Sequence, residues 1–371
     1  MNKVRILHIG LSERIYGTEN VVMNLYRNVD RLRYQFDFLI HHKCSSFGFE
    51  EEIVKLGGRV YYQFYYIKEQ NTEGYISPSF FFEMHPEIRG IHYHVNNYSL
   101  SRFRYVIEAY KRRIRIRIVH SHNSHMVNKI FRNYIHRLVV RLLVKKYSNK
   151  FIACSSKAGR WNFGKFDYEI LPNGVDTNKF AFDIDMRKRI RKQYHLEDKL
   201  VLGFVGRLDF QKNPEFLLKV FPQVNERCDH AMLVLLGEGE MGANLKKKAE
   251  QEKIKNILFM GRVDNVHEWL QAFDVLLVPS RFEGLGLVLI EAQASGLMCI
   301  ASECIPRETA ISDKITYLSI GDPLNWADKI MEANILYDRK KGQEQVIHSG
   351  YEIKESAERL MTIYKHLLER Q

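Results

Sequence analysis

Two basic side chains, Arg207 and Lys212, lie in the segment 206–214, which has the sequence Gly-Arg-Leu-Asp-Phe-Gln-Lys-Asn-Pro. This segment follows an apolar run typical of a buried strand and precedes a helical pattern. Ligands of open α/β sheets bind at the carboxyl ends of strands, and the start of a helix favours anions. We therefore expect Arg207 and Lys212 to bind a diphosphate. The alternative is that both are solvated loop cations.

A second segment of the same kind, 279–292, has the sequence Pro-Ser-Arg-Phe-Glu-Gly-Leu-Gly-Leu-Val-Leu-Ile-Glu-Ala. It too joins a strand pattern to a helix pattern, so the amides of Gly286 and Leu287 are expected at the helix start, without partners inside the helix. Glu283 lies in the loop, and Glu291 lies about a turn into an otherwise apolar helix. An unpaired buried carboxylate is unfavourable, so Glu291 needs a partner. The two hydroxyls of a ribose would suit it, and a neighbouring Lys or Arg is the alternative.

Short apolar runs alternate with helical patterns along the whole chain, which favours an α/β fold with parallel sheets. The predicted strands cover 4–10, 35–40, 60–64, 116–121 and 151–155 in the first half, and 200–206, 231–237, 257–260, 275–279 and 298–301 in the second. The predicted helices include 20–29, 215–226, 245–252 and 287–294.

The length of 371 residues favours two domains. The strand and helix pattern restarts after the turn-forming sequence Pro-Asn-Gly-Val-Asp at 172–176. We predict a first Rossmann-like domain over 1–175, a second over 176–350, and a last helix over 351–371 that could return to the first domain.

The net charge of +12 is concentrated in the first domain, where residues 88–165 contain 18 Lys and Arg residues and one acid, Glu108. A field of one sign implies an anionic partner, such as phospholipid headgroups, a lipid-linked phosphate or nucleic acid.

Within this basic region, the pattern over 125–147 predicts a helix with two stripes. One stripe is apolar and consists of Val127, Ile130, Tyr134, Leu138 and Leu142. The other begins cationic and ends apolar, with Lys129, Arg132, His136, Val140 and Leu143. The second stripe suits a helix lying at a lipid surface, and a core helix that meets a neighbouring helix is an equal alternative.

Other features narrow the class of protein. The five cysteines show no Cys-x-x-Cys spacing, which favours a reducing compartment with neither a disulfide framework nor a zinc site. The first apolar run ends at Gly10 and includes Arg5 and His8, so it is too short and too polar for an export signal. No run approaches the roughly 20 apolar residues of a spanning helix. We expect a cytoplasmic protein, peripheral at the inner membrane face.

Together these segments resemble the retaining glycosyltransferases of family 4, which have the GT-B fold, and the resemblance covers most of the chain. It rests on Glu283-x7-Glu291, on 206–214, on 172–176, on Val-His-Ser-His-Asn-Ser at 119–124 and on Ala-Cys-Ser-Ser-Lys-Ala at 153–158. The most similar members are bacterial capsular and exopolysaccharide enzymes. The resemblance implies two Rossmann-like domains that face each other across a cleft, with the acceptor on the first domain and the donor on the second.

The resemblance also implies roles for the matching residues in the second domain. Arg207 and Lys212 would hold the donor diphosphate and neutralise charge on the departing nucleotide. Glu283 would contact hydroxyls of the donor sugar, and Glu291 the ribose. The remaining donor contacts would come from Gly286 and Leu287 at the helix start and from Arg262 and Val263 beside the base.

In the first domain, the resemblance places His122 near the reacting carbon of the donor sugar and the backbone at Gly17 near the phosphates. The family usually has Gly-Gly-x-Glu, whereas this chain has Tyr16-Gly17-Thr18-Glu19. Glycine allows the closest backbone approach to a ligand, and this chain has Tyr16 in place of the first glycine.

The expected activity is retaining transfer of a sugar from a nucleotide diphosphate, uridine being the family's commonest base. The expected acceptor is a lipid-linked saccharide in capsule or exopolysaccharide synthesis. No metal or cofactor is expected, because Arg207, Lys212 and a helix start supply the positive field, and Asp183-Ile184-Asp185 matches an Asp-x-Asp metal motif by chance. The alternatives are a nucleotide-sugar 2-epimerase of the same architecture and a non-catalytic basic binding protein. Nucleic acid is disfavoured as a partner because no nucleic-acid motif is present.

Overall fold

The computed structural model describes residues 3–12, 17–42, 47–67, 72–95, 99–123, 132–333 and 338–369, without the side chains of 41–42, 65–67, 72–73 and 132–139. The chain forms two compact units. The first consists of Met1–Gly174 and Ile353–Gln371, and the second of Val175–Glu352. No helix in the described ranges combines the length and the apolar character that crossing a bilayer requires.

The first unit is built on a sheet of eight strands in the described ranges, with the order β4-β3-β2-β1-β5-β6-β7-β8. The strands are β1 (Val4–Ile9), β2 (Tyr34–His42), β3 (Val60–Ile67), β4 (Thr72–Tyr75), β5 (Ile88–Val95), β6 (Ile116–Ser121), β7 (Lys150–Ala153) and β8 (Glu169–Ile170). All neighbouring strands are parallel except β3 and β4. In this order, successive strands are added outward from β1 to β4 on one side and from β5 to β8 on the other. The point where the direction of addition changes lies between β1 and β5.

Helices pack on this sheet. They are α1 (Gly17–Asn28), α2 (Glu50–Lys55), α3 (Pro78–Met84), α4 (Leu100–Lys111), α5 (Arg132–Tyr147) and α6 (Ser156–Phe163). One core cluster joins the inward side chains of β5 to those of α4 and α5, for example Tyr93, Phe103 and Val144, each at most 2% exposed. Burial of such large side chains stabilises the layer by roughly 1.5–3 kcal/mol each.

The second unit contains a six-stranded parallel sheet in the order β11-β10-β9-β12-β13-β14. The strands are β9 (Leu200–Val205), β10 (Ala231–Leu236), β11 (Ile257–Gly261), β12 (Val275–Val278), β13 (Met298–Ser302) and β14 (Ile315–Leu318). Continuous apolar strands of this kind are buried on both faces. Gly203 in β9 is required for packing, because a Cβ there would lie 2.1 Å from the ring of Phe273.

The helices that cover this sheet are α7 (Thr177–Phe180), α8 (Ile184–Gln193), α9 (Glu215–Asn225), α10 (Gly242–Gln251), α11 (Val266–Ala272), α12 (Leu287–Ala294), α13 (Pro323–Met331) and α14 (Gly342–His348). Helix α12 is apolar on almost every side, and all its residues except Leu287 and Glu291 are buried. A helix that is apolar all round belongs in the interior of a protein. Asp183, from the Asp-x-Asp match, caps α8 by accepting hydrogen bonds from the amides of Asp185 and Met186.

The last helix, α15 (Ile353–Glu369), packs against α1 in the first unit. Its buried stripe includes Leu360 and Tyr364. Tyr34 donates a hydrogen bond to the carbonyl of Met361 at 3.3 Å, and Arg115 donates one to the carbonyl of Leu368 at 2.5 Å. The carboxyl-terminal segment is thus part of the first unit.

These two parallel-sheet units confirm the predicted α/β class and the GT-B architecture of two Rossmann-like domains. The ten strands predicted from apolar runs are present, with ends that differ by a few residues. Strand β5, in the middle of the first sheet, was not predicted, because Arg89, His92 and His94 interrupt its apolar pattern. Strands β4, β8 and β14, which lie at sheet edges and contain at most four residues each, were not predicted either.

The helix predicted over 125–147 is present as α5. Its described side chains, those of 140–147, do not form the predicted stripe that faces lipid. Val140 and Val144 are at most 1% exposed and belong to the core, and Leu143 packs against the same cluster. Leu142, from the apolar stripe, is 59% exposed. The apolar end of the cationic stripe is therefore a core face, and its expected place at a lipid surface is wrong. The side chains that complete both stripes lie outside the described residues: Val127, Lys129, Ile130, Arg132, Tyr134, His136 and Leu138.

Candidate active site

The candidate site of the second unit lies where the sheet order changes direction. Strands β9 and β12 are neighbours, although β10 and β11 separate them in the chain. Both strands are parallel, so the segments that follow them, 206–214 and 279–286, emerge at the same edge of the sheet. Open α/β sheets bind ligands at such switch points. The topology thus brings together the two segments that the sequence analysis selected.

Hydrogen bonds connect the two segments directly. The amide of Arg281 donates to the carbonyl of Gln211 at 2.8 Å, and the Gln211 side chain donates back to the carbonyl of Phe282 at 3.1 Å. Asn213, which has a φ of 55°, donates from its side chain to the carbonyl of Pro279 at 3.1 Å. Asparagine tolerates this left-handed conformation better than most residues. These hydrogen bonds therefore fix the position of one loop relative to the other.

Lys212 and Glu283 form an ion pair at the centre of this arrangement. The ammonium Nζ of Lys212 donates to Glu283 Oε1 at 2.6 Å, and the two side chains are 19% and 6% exposed. Asp209 positions the lysine by accepting a hydrogen bond from its amide at 2.9 Å. The sequence predicted a diphosphate ligand for Lys212 and sugar hydroxyls for Glu283. In the structure each side chain is also a partner of the other.

Arg207 is the more accessible cation, with a side chain that is 43% exposed. It contacts Asp209 at 2.8 Å and Gln211 at 3.1 Å. A third cation, Arg281, was not selected from the sequence. Its guanidinium lies 4.5 Å from the ring centroid of Phe210 and donates to Asn213 at 2.9 Å. The edge of the sheet between β9 and β12 therefore carries three cations, of which Arg207 and Lys212 are paired with the carboxylates of Asp209 and Glu283.

Helix α12 begins at this same edge. Its N-cap, Gly286, has φ of 95° and ψ of 57°, and no side chain caps the first turn in the described residues. The positive φ is readily available only to glycine. The first-turn amides, including that of Leu287, are thus placed as donors for an anion.

Glu291 lies one turn into α12 and is largely buried. Burial raises the pKa of its carboxyl to about 7, and the positive charges of Lys179 and Lys212 oppose this rise. Within the described ranges the carboxyl of Glu291 forms no hydrogen bond or ion pair, so the alternative of a neighbouring Lys or Arg partner is not observed. A ligand with two hydroxyl donors would satisfy this carboxylate.

Arg262 and Val263 follow β11, two strands away from β9. The loops along this edge are joined, because the amide of Gly237 donates to the carbonyl of Gly261 at 2.7 Å and that of Leu208 donates to Glu238 at 2.9 Å. Arg262 is exposed and Val263 is partly exposed. Arg262 and Val263 thus lie at the same edge of the sheet as 206–214, on the side away from β12.

Gly17 and His122 lie in the first unit. Gly17 begins α1 and is exposed, whereas Glu19 in the same turn is buried and accepts a hydrogen bond from the amide of Ser12 at 2.7 Å. Tyr16 lies outside the described residues. His122 follows β6, is buried, and its Nε2 lies 2.8 Å from Nδ1 of His94. Burial lowers the pKa of His122 to about 3, so the ring is neutral near pH 7.

Two Rossmann-like units, one of which holds cations, carboxylates and a helix start at its switch point, define an enzyme of the GT-B class. A family model described as glycosyl transferases group 1 matches residues 199–333. EpsF of Bacillus subtilis (strain 168), which is named as a glycosyltransferase, is 31% identical over 97% of this chain and 96% of its own length. The chain therefore belongs to the group 1 glycosyltransferases, family 4.

Two further matches concern substrates of similar proteins. The Escherichia coli UDP-Gal:alpha-D-GlcNAc-diphosphoundecaprenol alpha-1,3-galactosyltransferase is 28% identical over 53% of each chain. The crystal structure of Anabaena HepE in complex with UDP-glucose has the same fold, with a TM-score of 0.78 and 14% identity over 98% of this chain and 99% of that one. The protein is a glycosyltransferase that uses a nucleotide-sugar donor.

Proposed function

We propose that this enzyme transfers a sugar, with retention of anomeric configuration, from a UDP-sugar to a lipid-linked saccharide in the synthesis of a capsule or exopolysaccharide. The observation that carries the proposal is the ion pair of Lys212 and Glu283 beside the start of α12. It places a cation, a carboxylate and free helix amides at the switch point of the second sheet.

In this proposal the diphosphate binds to Lys212, to Arg207 and to the first amides of α12. The leaving nucleotide gains negative charge as the glycosidic bond breaks, and fixed cations stabilise that charge. The diphosphate shares the Lys212 ammonium with Glu283, so the glutamate remains oriented by the lysine while it accepts hydrogen bonds from the donor sugar. The cations that the site already holds supply the charge that a metal supplies in other transferases.

The nucleoside occupies the rest of the edge. The carboxylate of Glu291 accepts hydrogen bonds from both ribose hydroxyls, which supply the partners that the described residues do not. Arg262 and Val263 flank the base. UDP is proposed as the nucleotide because the similar HepE structure is a complex with UDP-glucose and the similar Escherichia coli enzyme is named for UDP-Gal.

The first unit contributes His122 near the donor sugar, amides at Gly17 near the phosphates, and the acceptor site. The Escherichia coli relative is named for a diphosphoundecaprenol-linked acceptor. The 18 basic residues of 88–165 supply charge for such a phosphate and for anionic lipid headgroups. The proposed location is therefore cytoplasmic, at the inner face of the membrane.

A panel of nucleotide sugars tests the donor. Each compound is added to the purified chain and the melting temperature is recorded, because a ligand that binds the native state stabilises it. We expect UDP-sugars to raise the melting temperature more than GDP-sugars with the same hexose. A larger shift with GDP-sugars would contradict the proposed base.

The selected donor is then incubated with and without a diphosphate-lipid-linked saccharide, and the products are examined by NMR. An α-linked product from an α-linked donor is expected only with acceptor. Conversion of the donor to its 2-epimer without acceptor would instead establish the epimerase. Sedimentation with anionic and neutral liposomes tests the membrane contact, and equal binding to both would contradict it.

A further inference from the structure

Five histidines form a buried cluster in the first unit. They lie on three adjacent strands or directly after them, and each is at most 8% exposed: His8 on β1, His92 and His94 on β5, His120 on β6, and His122 after β6. The strand register places His8 beside His92, and His94 beside His120. We call these residues the histidine cluster.

Two hydrogen-bonded chains run through the histidine cluster. In the first, His8 Nδ1 lies 2.9 Å from His94 Nε2, and His94 Nδ1 lies 2.8 Å from His122 Nε2. In the second, His120 Nδ1 lies 3.2 Å from His92 Nε2, and His92 Nδ1 lies 2.8 Å from the hydroxyl of Tyr364 on α15. Each neutral imidazole has one N–H and one lone pair, so each chain has a direction.

The chains end on nitrogens with no partner in the described part of the protein. These atoms are His8 Nε2, His120 Nε2 and His122 Nδ1. A buried polar atom without a hydrogen bond is unfavourable, and most such atoms in native proteins have a partner.

One ring nitrogen from each of His94, His120 and His122 lies within 4.8 Å of the other two. We propose that these three side chains bind one divalent transition-metal ion of the kind that prefers imidazole, such as Zn²⁺. The ligand atoms are His94 Nδ1, His122 Nε2 and the unpartnered His120 Nε2. Tetrahedral Zn²⁺ with Zn–N bonds of about 2.1 Å separates its ligand nitrogens by roughly 3.4 Å. The 2.8 Å contact between His94 and His122 would therefore lengthen by about 0.6 Å.

The remaining members of the cluster form the surroundings that a metal-bound histidine needs. Ligating imidazoles usually donate their other N–H to an acceptor, which fixes the ring and its tautomer. With the ion bound as proposed, His94 Nε2 would donate to His8, and His120 Nδ1 would donate to His92, which in turn would donate to Tyr364. Three neutral imidazoles leave a fourth position of the ion for a water molecule or a hydroxide.

The ion would also select one tautomer of His122, the histidine that the proposed function places near the donor sugar. It would hold the ring by Nε2 and leave Nδ1 as an N–H donor. Metal binding is measured without donor or acceptor, so a failure of the metal site can be distinguished from a failure of the proposed transfer.

Metal binding by the full chain tests the inference, with an affinity tag that contains no histidine. The protein is dialysed against Zn²⁺ and then against metal-free buffer, and retained metal is counted by mass spectrometry. Co²⁺ is used in parallel, because its visible d–d bands identify tetrahedral nitrogen ligation. We expect one retained ion per chain and tetrahedral Co²⁺ bands.

Four variants locate the site. His94→Gln and His120→Gln remove ligands and are expected to weaken binding at least about 100-fold. Tyr364→Phe removes the hydroxyl bonded to His92, one ring further from the ion, and is expected to weaken binding by less than either ligand variant. The exposed His230 of the second unit provides the control, His230→Gln, which should bind as the wild type does. Equal binding by all variants would assign the metal to surface groups and overturn the inference. If the ligand variants do not fold, the wild type alone decides, and no retained metal and no Co²⁺ bands would overturn it.

Discussion

The buried carboxyl of Glu291 makes donor binding depend on pH. Burial raises its pKa to about 7 in the free enzyme. The proposed ribose contact requires the charged form, which can accept hydrogen bonds from both hydroxyls. Donor binding should therefore lower the pKa of Glu291, and affinity should fall as the pH drops through 7.

The size of this effect follows from the pKa. If the carboxylate stays ionised in the complex, the dissociation constant rises about fivefold from pH 7 to pH 6, and about tenfold from pH 8 to pH 6. A nucleotide diphosphate sugar lacks the terminal phosphate that titrates near pH 6. The ligand itself therefore adds no comparable dependence over this range.

The same group should also affect stability, with a sign set by its raised pKa. Between its ordinary value of 4.5 and about 7 the folded protein holds more protons than the unfolded chain, so stability falls as the pH rises through this range. The full loss at pH 8 is up to about 3 kcal/mol, at about 1.4 kcal/mol per pKa unit. Glu291→Gln should recover much of it at pH 8 and little at pH 5.

Isothermal titration calorimetry with the preferred donor at pH 6, 7 and 8 measures the affinity, and thermal unfolding at pH 5 and 8 measures the stability. Glu291→Gln should bind weakly with no pH dependence, and its unfolding temperature should exceed that of wild type only at pH 8. The exposed Glu344 on α14 supplies the matched control Glu344→Gln, which should behave as wild type in both assays. Wild-type affinity that is constant from pH 6 to pH 8, or Glu291→Gln that retains it, would refute the ribose contact.

Three further substitutions have expected outcomes. Lys212→Met should lower kcat about 10²- to 10³-fold, because it removes a cation from the leaving group. It should also lower the melting temperature by breaking the ion pair with Glu283, and adding Glu283→Gln should restore the melting temperature but not kcat. Restored turnover in the double variant would contradict the role assigned to Lys212. Gly286→Ala forces a side chain into a φ of 95° and should destabilise the protein by about 1–2 kcal/mol in a denaturant titration, with an unchanged midpoint as the contrary result. Gly17→Ala meets no atom within 4 Å of its new Cβ, so the melting temperature should hold while the donor KM rises; a KM equal to wild type would remove the phosphate contact.

The fold was predictable where sequence pattern and burial agree. Strand β9 and helix α12 are apolar over their whole length, and the predicted limits match or lie within one residue of the observed ones. Strand β5 was not predictable in this way, because its histidines are buried through contacts with other histidines. Those contacts come from strands β1 and β6, which no local pattern reveals.

The candidate site likewise combines features that local sequence predicts with features that depend on contacts between distant parts of the chain. The residues of each loop could be selected from their types and from the strand before them. The contact of Lys212 with Glu283 spans 71 positions in the chain and depends on β9 and β12 being neighbours. The roles of Asn213 and Arg281 depend likewise on backbone conformation and on the opposite loop, so neither was selected.

The position of α15 determines when each unit can be completed during synthesis. The first unit needs Ile353–Gln371, which are synthesised after the whole of the second unit, the continuous segment Val175–Glu352. Amino-terminal domains usually fold first, but here the first unit cannot be completed before the second has been synthesised. Until α15 has been synthesised, the surface of α1 that receives it is uncovered and His92 lacks its tyrosine partner, so a variant without α15 should be a substrate for chaperones and proteases.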